Sequence, residues 1–173
     1  MNFKIPAIIT LLAILVLDSC TKVENIPARP KIEYTSFTVF DTTDILGNTL
    51  KGGRLKFSFE DGDGDLGLPV PSEGQNFDSI NLFLVLYRLN NGELALAPDD
   101  DPLKPTGFRI PYMIRTGLNR VLRGSISVVF QYFFCTEEDS IKYEFFIKDR
   151  ADNISNIEST STLPIFFNGV YTE

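Results

Sequence analysis

The chain of 173 residues has 16 basic and 23 acidic side chains, a net charge of −7, and no histidine. The acidic balance argues against a nucleic-acid partner, because such binding needs clustered lysine and arginine. The lack of histidine excludes histidine-based catalytic triads, histidine zinc ligands and the commonest general base, so an enzyme would depend on carboxylates, lysine or tyrosine.

The first twenty residues have the pattern of a targeting segment. Lys4 supplies a positive charge, and residues 5–17 form an apolar run of 13 residues, too short to span a bilayer comfortably. The tetrapeptide 17–20 (LDSC) follows and resembles the lipobox of bacterial lipoproteins. The resemblance implies that Cys20 becomes the lipidated first residue of the mature chain, although Asp18 departs from the small or apolar residue usual at its position.

The lipobox divides the chain into a signal peptide at 1–19, a lipid-anchored tether at 20–31 and a domain at 32–173. The tether is short, polar and broken by two prolines, as in a semi-extended spacer. Thr21 stands where many inner-membrane lipoproteins carry a retaining aspartate, so the same resemblance favours a cell-envelope location at the outer membrane, on either of its faces. An ordinary signal peptide or an uncleaved anchor is the alternative interpretation.

Alternation of apolar and polar residues predicts an all-β domain of seven or eight short strands. Pro111 places one of these strands at a sheet edge, and residues 41–53 are expected to form a loop. Turn signals recur about every 8 to 12 residues, which is typical of an antiparallel β-sandwich. In chain order, the predicted strands are 32–40, 55–59, 80–89, 93–97, 108–115, 120–130, 141–148 and 154–165.

An acidic run, 60–65 (EDGDGD), follows the second predicted strand and holds four carboxylates within six residues. Neighbouring carboxylates without a partner repel by about 1 kcal/mol at 4 Å in water, and by more once partly buried. A hard cation with oxygen ligands would offset this repulsion. The two glycines let the backbone wrap so that Asp61, Asp63 and Asp65 can point at one centre. The run therefore predicts a calcium site.

This site would not be an EF-hand. Counted from Asp61, the sharp-turn glycine and the bidentate glutamate of that motif would fall at Leu66 and Ser72. Two other interpretations remain open, namely a solvated turn without metal, since Asp-Gly pairs also mark plain turns, and a different ion.

Two segments resemble bacterial domains of known type. Residues 51–67 (KGGRLKFSFEDGDGDLG) look like the strand and DGDGD-[IL]-G segment of lipoproteins common in Bacteroidota. Residues 143–155 (YEFFIKDRADNIS) resemble the turn that joins the last two strands of bacterial Ig-like and fibronectin-III-like domains, with Asp152 where glycine is usual. The resemblance implies a single Ig-like (fibronectin-III-like) β-sandwich in a lipoprotein family without an assigned reaction.

The resemblance also implies a geometry for the metal site. In such sandwiches the loop after the second strand and the loop before the last strand lie at the same end. Asp149, Asp152 and Asn153 would then join the first three aspartates as ligands. A full crossing strand at 93–97 would instead send the second loop to the far end, and ordinary turn chemistry is the alternative role for these side chains.

Together these features predict a non-catalytic binding or structural module, anchored to the membrane through Cys20, that docks another envelope protein and uses calcium to rigidify a loop. The alternative is glycan or polymer binding by aromatic side chains on the outer face of the central sheet. Packing within the sheet would equally explain these aromatic side chains. A carboxylate-based hydrolase is a third hypothesis, but it needs two acids at a defined separation, and no feature of the sequence selects a pair. The candidates for glycan contact are Phe83, Tyr87, Tyr112 and Phe146.

Overall fold

A computed structural model of the chain describes residues 26–72, 79–114 and 120–173. The predicted signal peptide at 1–19 and the predicted lipidation site Cys20 lie outside the described residues. Among the described residues, no helix is long and apolar enough to cross a membrane.

Nine strands account for the regular structure of the described residues, and all of their mutual pairings are antiparallel. Six of them have four residues or more, and the last three are short. They are β1 (Lys31–Thr43), β2 (Thr49–Asp61), β3 (Leu82–Asn90), β4 (Glu93–Leu96), β5 (Leu122–Tyr132), β6 (Ser140–Ile147), β7 (Glu158–Ser159), β8 (Leu163–Pro164) and β9 (Gly169–Tyr171).

The strands form two sheets. One has the order β5-β2-β1-β9, and the other has the order β4-β3-β6-β7, with β8 also pairing with β6. Because β2 pairs with β5 and β3 pairs with β6, the chain crosses repeatedly between the sheets. This division, with the first, second and fifth strands facing the third and sixth, is that of an Ig-like sandwich. The predicted all-β antiparallel sandwich is confirmed.

The core lies between the two sheets and follows the alternation of the strands. The four apolar residues on one face of β6 are fully buried, as the sequence predicts. Across the sandwich, the rings of Phe57 in β2 and Phe145 in β6 lie 5.2 Å apart, which places aromatic packing at the centre of the core. The buried residues of β6 are Ile141, Tyr143, Phe145 and Ile147.

The prediction of a loop at 41–53 is wrong, because β1 and β2 continue into a tight hairpin. The side chain of Asp44 closes its turn: Oδ1 accepts hydrogen bonds from the N–H groups of Leu46 and Asn48 at 2.8 and 2.9 Å. This is the local bonding by which aspartate nucleates turns. The pairing of β1 with β2 is interrupted by a register shift between Tyr34 and Ser36.

The predicted edge strand at 108–115 is also wrong for its described residues, 108–114. Phe108 forms an isolated bridge with Leu82, and Pro111 forms one with Leu68. Since proline has no N–H to donate, the segment cannot extend these bridges into a ladder.

The predicted last strand at 154–165 is broken into β7 and β8. Before β7, it is the side chain of Asn156, and not its backbone, that bonds to β1. Its Oδ1 accepts from Ile32 N–H at 2.8 Å, and its Nδ2 donates to Ile32 O at 2.9 Å. A side-chain amide that imitates a peptide unit in this way satisfies β1 without a ladder.

Candidate metal centre

Asp61 occupies a core-facing position at the end of β2. Leu55, Phe57 and Phe59 are buried on one face of this strand, and the same alternation turns Asp61 inward, where it is fully buried. Its Oδ2 accepts a hydrogen bond from Leu66 N–H at 2.8 Å, which closes the acidic loop. Its Oδ1 is buried and has no hydrogen-bond partner. A buried carboxylate oxygen without a donor is costly unless another group, such as a cation, satisfies it.

The loop that follows Asp61 brings two further carboxylates back towards it. Gly64 has a φ of 68°, a left-handed conformation that glycine adopts without strain, and it reverses the chain between Asp63 and Asp65. Oδ1 of Asp65 is also buried without a hydrogen-bond partner. The glycine spacing therefore explains how alternate aspartates can face one centre.

A second loop, directly after β6, supplies Asp149, which is 2% exposed. Asn153 holds both of its oxygens: the backbone N–H donates to Oδ1 and the side-chain Nδ2 donates to Oδ2, each at 2.8 Å. Each carboxylate oxygen keeps a second lone pair for another partner. Asn153 therefore positions Asp149. The same two hydrogen bonds also belong to ordinary turn chemistry.

The two loops meet at one end of the sandwich. Asp61, Asp63, Asp65 and Asp149 each offer a carboxylate oxygen, and these four oxygens lie within 4.8 Å of one another. The loops share an end because β5 starts beside Asp61, at Leu122, and β6 then returns the chain to this end at Ile147. Arg150 ties them together by donating from Nη1 to Gly67 O at 2.8 Å.

Asp152 lies outside this four-aspartate cluster. Its side chain is 79% exposed and pairs with Lys148 Nζ at 2.8 Å. Its φ of 67° explains the difference, because the left-handed backbone turns this side chain away from the direction taken by Asp149. Of the six residues predicted as ligands, the structure brings four carboxylates together, leaves Asp152 outside and gives Asn153 a positioning role.

The electrostatics of the four-aspartate cluster disfavour four ionised carboxylates. Burial raises the pKa of Asp61 to about 6, with Asp63 and Asp65 adding to the effect and the Leu66 N–H opposing it. The pKa of Asp65 is also raised, first by burial and then by Asp149 and Asp63, while Arg150 opposes the shift. Arg150 supplies one positive charge against four carboxylates, so a divalent cation would relieve most of the repulsion.

The spacing of the oxygens fits calcium. Calcium binds six to eight oxygens at 2.3–2.6 Å, so oxygens on opposite sides of the ion lie about 5 Å apart. Oxygens within 4.8 Å of one another therefore fit inside its shell without rearrangement. A magnesium shell spans only about 4 Å and demands octahedral geometry. The chemistry of the donor set and the orphaned Oδ1 of Asp61 agree with a calcium ion held by these four residues.

The four aromatic residues considered for glycan contact do not form one surface. Phe83 and Phe146 are a cross-strand pair on the outer face of β3 and β6, with their rings stacked at 5.0 Å. Tyr87 shares this face and donates its hydroxyl to Glu144 Oε2 at 3.0 Å. Tyr112 lies apart, beside the acidic loops, where the guanidinium of Arg150 covers its ring at 4.8 Å.

Sequence reasoning missed Arg29 and Arg150, which bind backbone carbonyls around the cluster. Their contacts join residues more than 80 positions apart, so no local pattern could have found them. No protein-family model matches the chain, and neither a curated protein nor a solved structure matches it.

Proposed function

We propose that this chain is a lipid-anchored protein of the cell envelope, and that it acts as a non-catalytic binding or structural module whose acidic end is stabilised by calcium. The observation that supports calcium most directly is the fully buried Asp61, whose Oδ1 has no hydrogen-bond partner and faces three further carboxylates. Calcium in this position would rigidify the two loops.

The geometry of the cluster supports binding over hydrolysis. Glycoside hydrolases hold two carboxyl groups about 5 to 9.5 Å apart, on opposite sides of the bond to be broken. Here the four oxygens lie within 4.8 Å of one another, and Asp61 and Asp149 are buried. Such carboxylates share one centre and leave no room between them for a sugar ring.

The placement of the N-terminal segment supports an anchored module with a free far end. Pro27 lies against Gly62, so the chain enters the domain at the acidic end. The β1–β2 turn, with Ile45 and Leu46 exposed, lies at the opposite end of β2, and Phe133 follows the end of β5 that pairs there. Exposed apolar side chains at the end remote from the membrane anchor fit a protein partner in the envelope.

Calorimetric titration tests the calcium site. The full chain, solubilised in detergent and stripped of metal, is expected to bind one calcium ion, and to bind magnesium far more weakly. Asp63→Asn should lower calcium affinity at least tenfold because it removes a charged ligand, whereas Asp152→Asn should bind as the wild type does. A wild-type protein without saturable binding would contradict the proposal.

Metabolic labelling tests the anchor. The wild-type protein is expected to incorporate labelled palmitate and to fractionate with membranes, because two or more acyl chains hold a protein stably in a bilayer. Cys20→Ser should lose both properties, while Cys135→Ser should keep both. Equal labelling of the wild type and Cys20→Ser would refute lipidation at this residue.

A further inference from the structure

Residues 26–30, here called the strap, contact both loops of the four-aspartate cluster. Gly62, between Asp61 and Asp63, donates its N–H to Pro27 O at 3.1 Å. Arg29 reaches the other loop, where Nε donates to Ile154 O at 2.5 Å and Nη2 donates to Ser155 O at 3.0 Å. One short segment is thus bonded to the first acidic loop and to the residues that directly follow the second.

The contact with the first loop is backbone against backbone. A Cβ added at Gly62 would lie 2.3 Å from both Ile26 O and Pro27 O, so no side chain fits between the loop and the strap. This close approach ties the strap to the conformation of the acidic loop, because a displacement of the loop by about 1 Å would break the hydrogen bond or cause a clash.

The contact with the second loop is fixed to the end of β6. Ser155 is buried, its N–H donates to Ile147 O, and its Oγ accepts from Ile147 N–H, each at 3.0 Å. Asp149 is two residues beyond Ile147. The Ser155 carbonyl that Arg29 binds is therefore fixed to the same strand end that carries Asp149.

Four carboxylates at this separation repel one another, and Oδ1 of the buried Asp61 is unsatisfied within the cluster. A divalent cation would draw the two loops together, and the strap bridges the same two loops from outside. Two groups that favour one arrangement of a shared element must favour each other's binding.

We propose that a divalent cation in the four-aspartate cluster clamps the strap onto the domain, and that loss of the cation releases it. This inference rests on the proposed calcium site. Five residues lie between Cys20 and Ile26, a reach of at most about 20 Å, whereas release up to Lys31 extends the reach to about 40 Å. Calcium would therefore set how far the anchored domain can stand from the membrane.

A nitroxide label on the strap tests the clamp. In a Cys135→Ala background of the full chain, the exposed Ala28→Cys is labelled and its mobility is recorded by electron paramagnetic resonance with calcium and with chelator. Calcium is expected to convert a mobile spectrum into an immobilised one. A label at Ser127→Cys, exposed on β5, should give the same spectrum in both conditions.

The reciprocal test measures calcium affinity by calorimetry. Arg29→Ala is expected to weaken calcium binding by about 5-fold or more, the usual range of coupling between two sites. Lys56→Ala removes the same charge from an exposed position on β2 and should leave the affinity unchanged. The clamp would be overturned if the wild type binds calcium, the spectrum of the label does not change with calcium, and Arg29→Ala keeps the wild-type affinity. The calcium site would then still stand. No calcium binding by the wild type would overturn both.

Discussion

Replacing Asp61 by asparagine is expected to remove the stabilisation by calcium and to stabilise the protein in chelator. In calcium, the substitution removes a charged ligand, and an ion at 100 times its dissociation constant adds about 2.7 kcal/mol to the wild type. In chelator at pH 7, the substitution removes a buried charge. The asparagine side chain can still accept the Leu66 N–H hydrogen bond.

The gain in stability of Asp61→Asn over the wild type in chelator follows from the pKa of Asp61, which burial raises to about 6 from an ordinary value of 3.8. That difference corresponds to about 3 kcal/mol of unfavourable free energy in the folded, metal-free protein at neutral pH. Asparagine recovers part of it, because its amide can donate to the neighbouring carboxylates. The substitution therefore stabilises the metal-free protein and at the same time removes the stabilisation by calcium.

Thermal unfolding of the two proteins in each condition checks this expectation. For a domain of this size 1 kcal/mol corresponds to about 2–4 °C, so calcium should raise the unfolding midpoint of the wild type by about 5–10 °C and leave that of Asp61→Asn nearly unchanged. Asp152→Asn, in the neighbouring loop but outside the cluster, should match the wild type in both conditions. An equal loss of stability for Asp61→Asn in calcium and in chelator would mean that no metal is bound there.

The sandwich was predictable wherever one face of a strand is buried and the other is not. The alternation in 141–148 identified the buried face of β6, and the run from Leu55 to Phe59 did the same for β2. Two of the three errors in the predicted elements fall where side chains replace the backbone ladder. Asp44 closes a turn and Asn156 pairs with Ile32, and neither residue type signals in advance which backbone group it will bind.

The first half of the site could be predicted because its residues lie on one short loop. The alternation that buries Phe59 also predicts that Asp61 faces inward, and the glycines allow the following aspartates to return. The second half depended on topology, because the number of strands between the two loops decides whether they share an end, and residues 108–114 form no strand. Asp152 could not be separated from Asp149 by sequence, because its left-handed backbone decides its direction.

The contribution of Asp61 to the stability of the metal-free protein is expected to fall as the pH rises from 4 to 7. Since the pKa of Asp61 is higher in the folded state than its ordinary value of 3.8, the folded state binds more protons between pH 3.8 and about 6. Its stabilising contribution is complete below the lower value and is lost as the pH passes the upper one. The raised pKa of Asp65 acts in the same direction.

Other groups have the opposite dependence, so a single pH curve does not isolate Asp61. Hydrogen bonds from Arg88 and the Leu103 N–H lower the pKa of Asp101 against the effect of its burial, and the resulting stability is lost as the pH falls. The difference in unfolding free energy between the wild type and Asp61→Asn in chelator removes this background. That difference should change by about 2 kcal/mol between pH 4 and pH 7, measured by denaturant unfolding at each pH.

Calcium should reverse the sign of the pH dependence of stability that Asp61 causes. The ion binds ionised carboxylates, so protons compete with it, and the stabilisation by calcium should grow as the pH rises through 6. The wild-type curves with and without calcium should therefore converge near pH 4 and separate towards pH 7, while those of Asp61→Asn stay close together throughout. Parallel wild-type curves would show that calcium binds elsewhere, because an ion at this cluster cannot bind without displacing the proton that burial favours on Asp61.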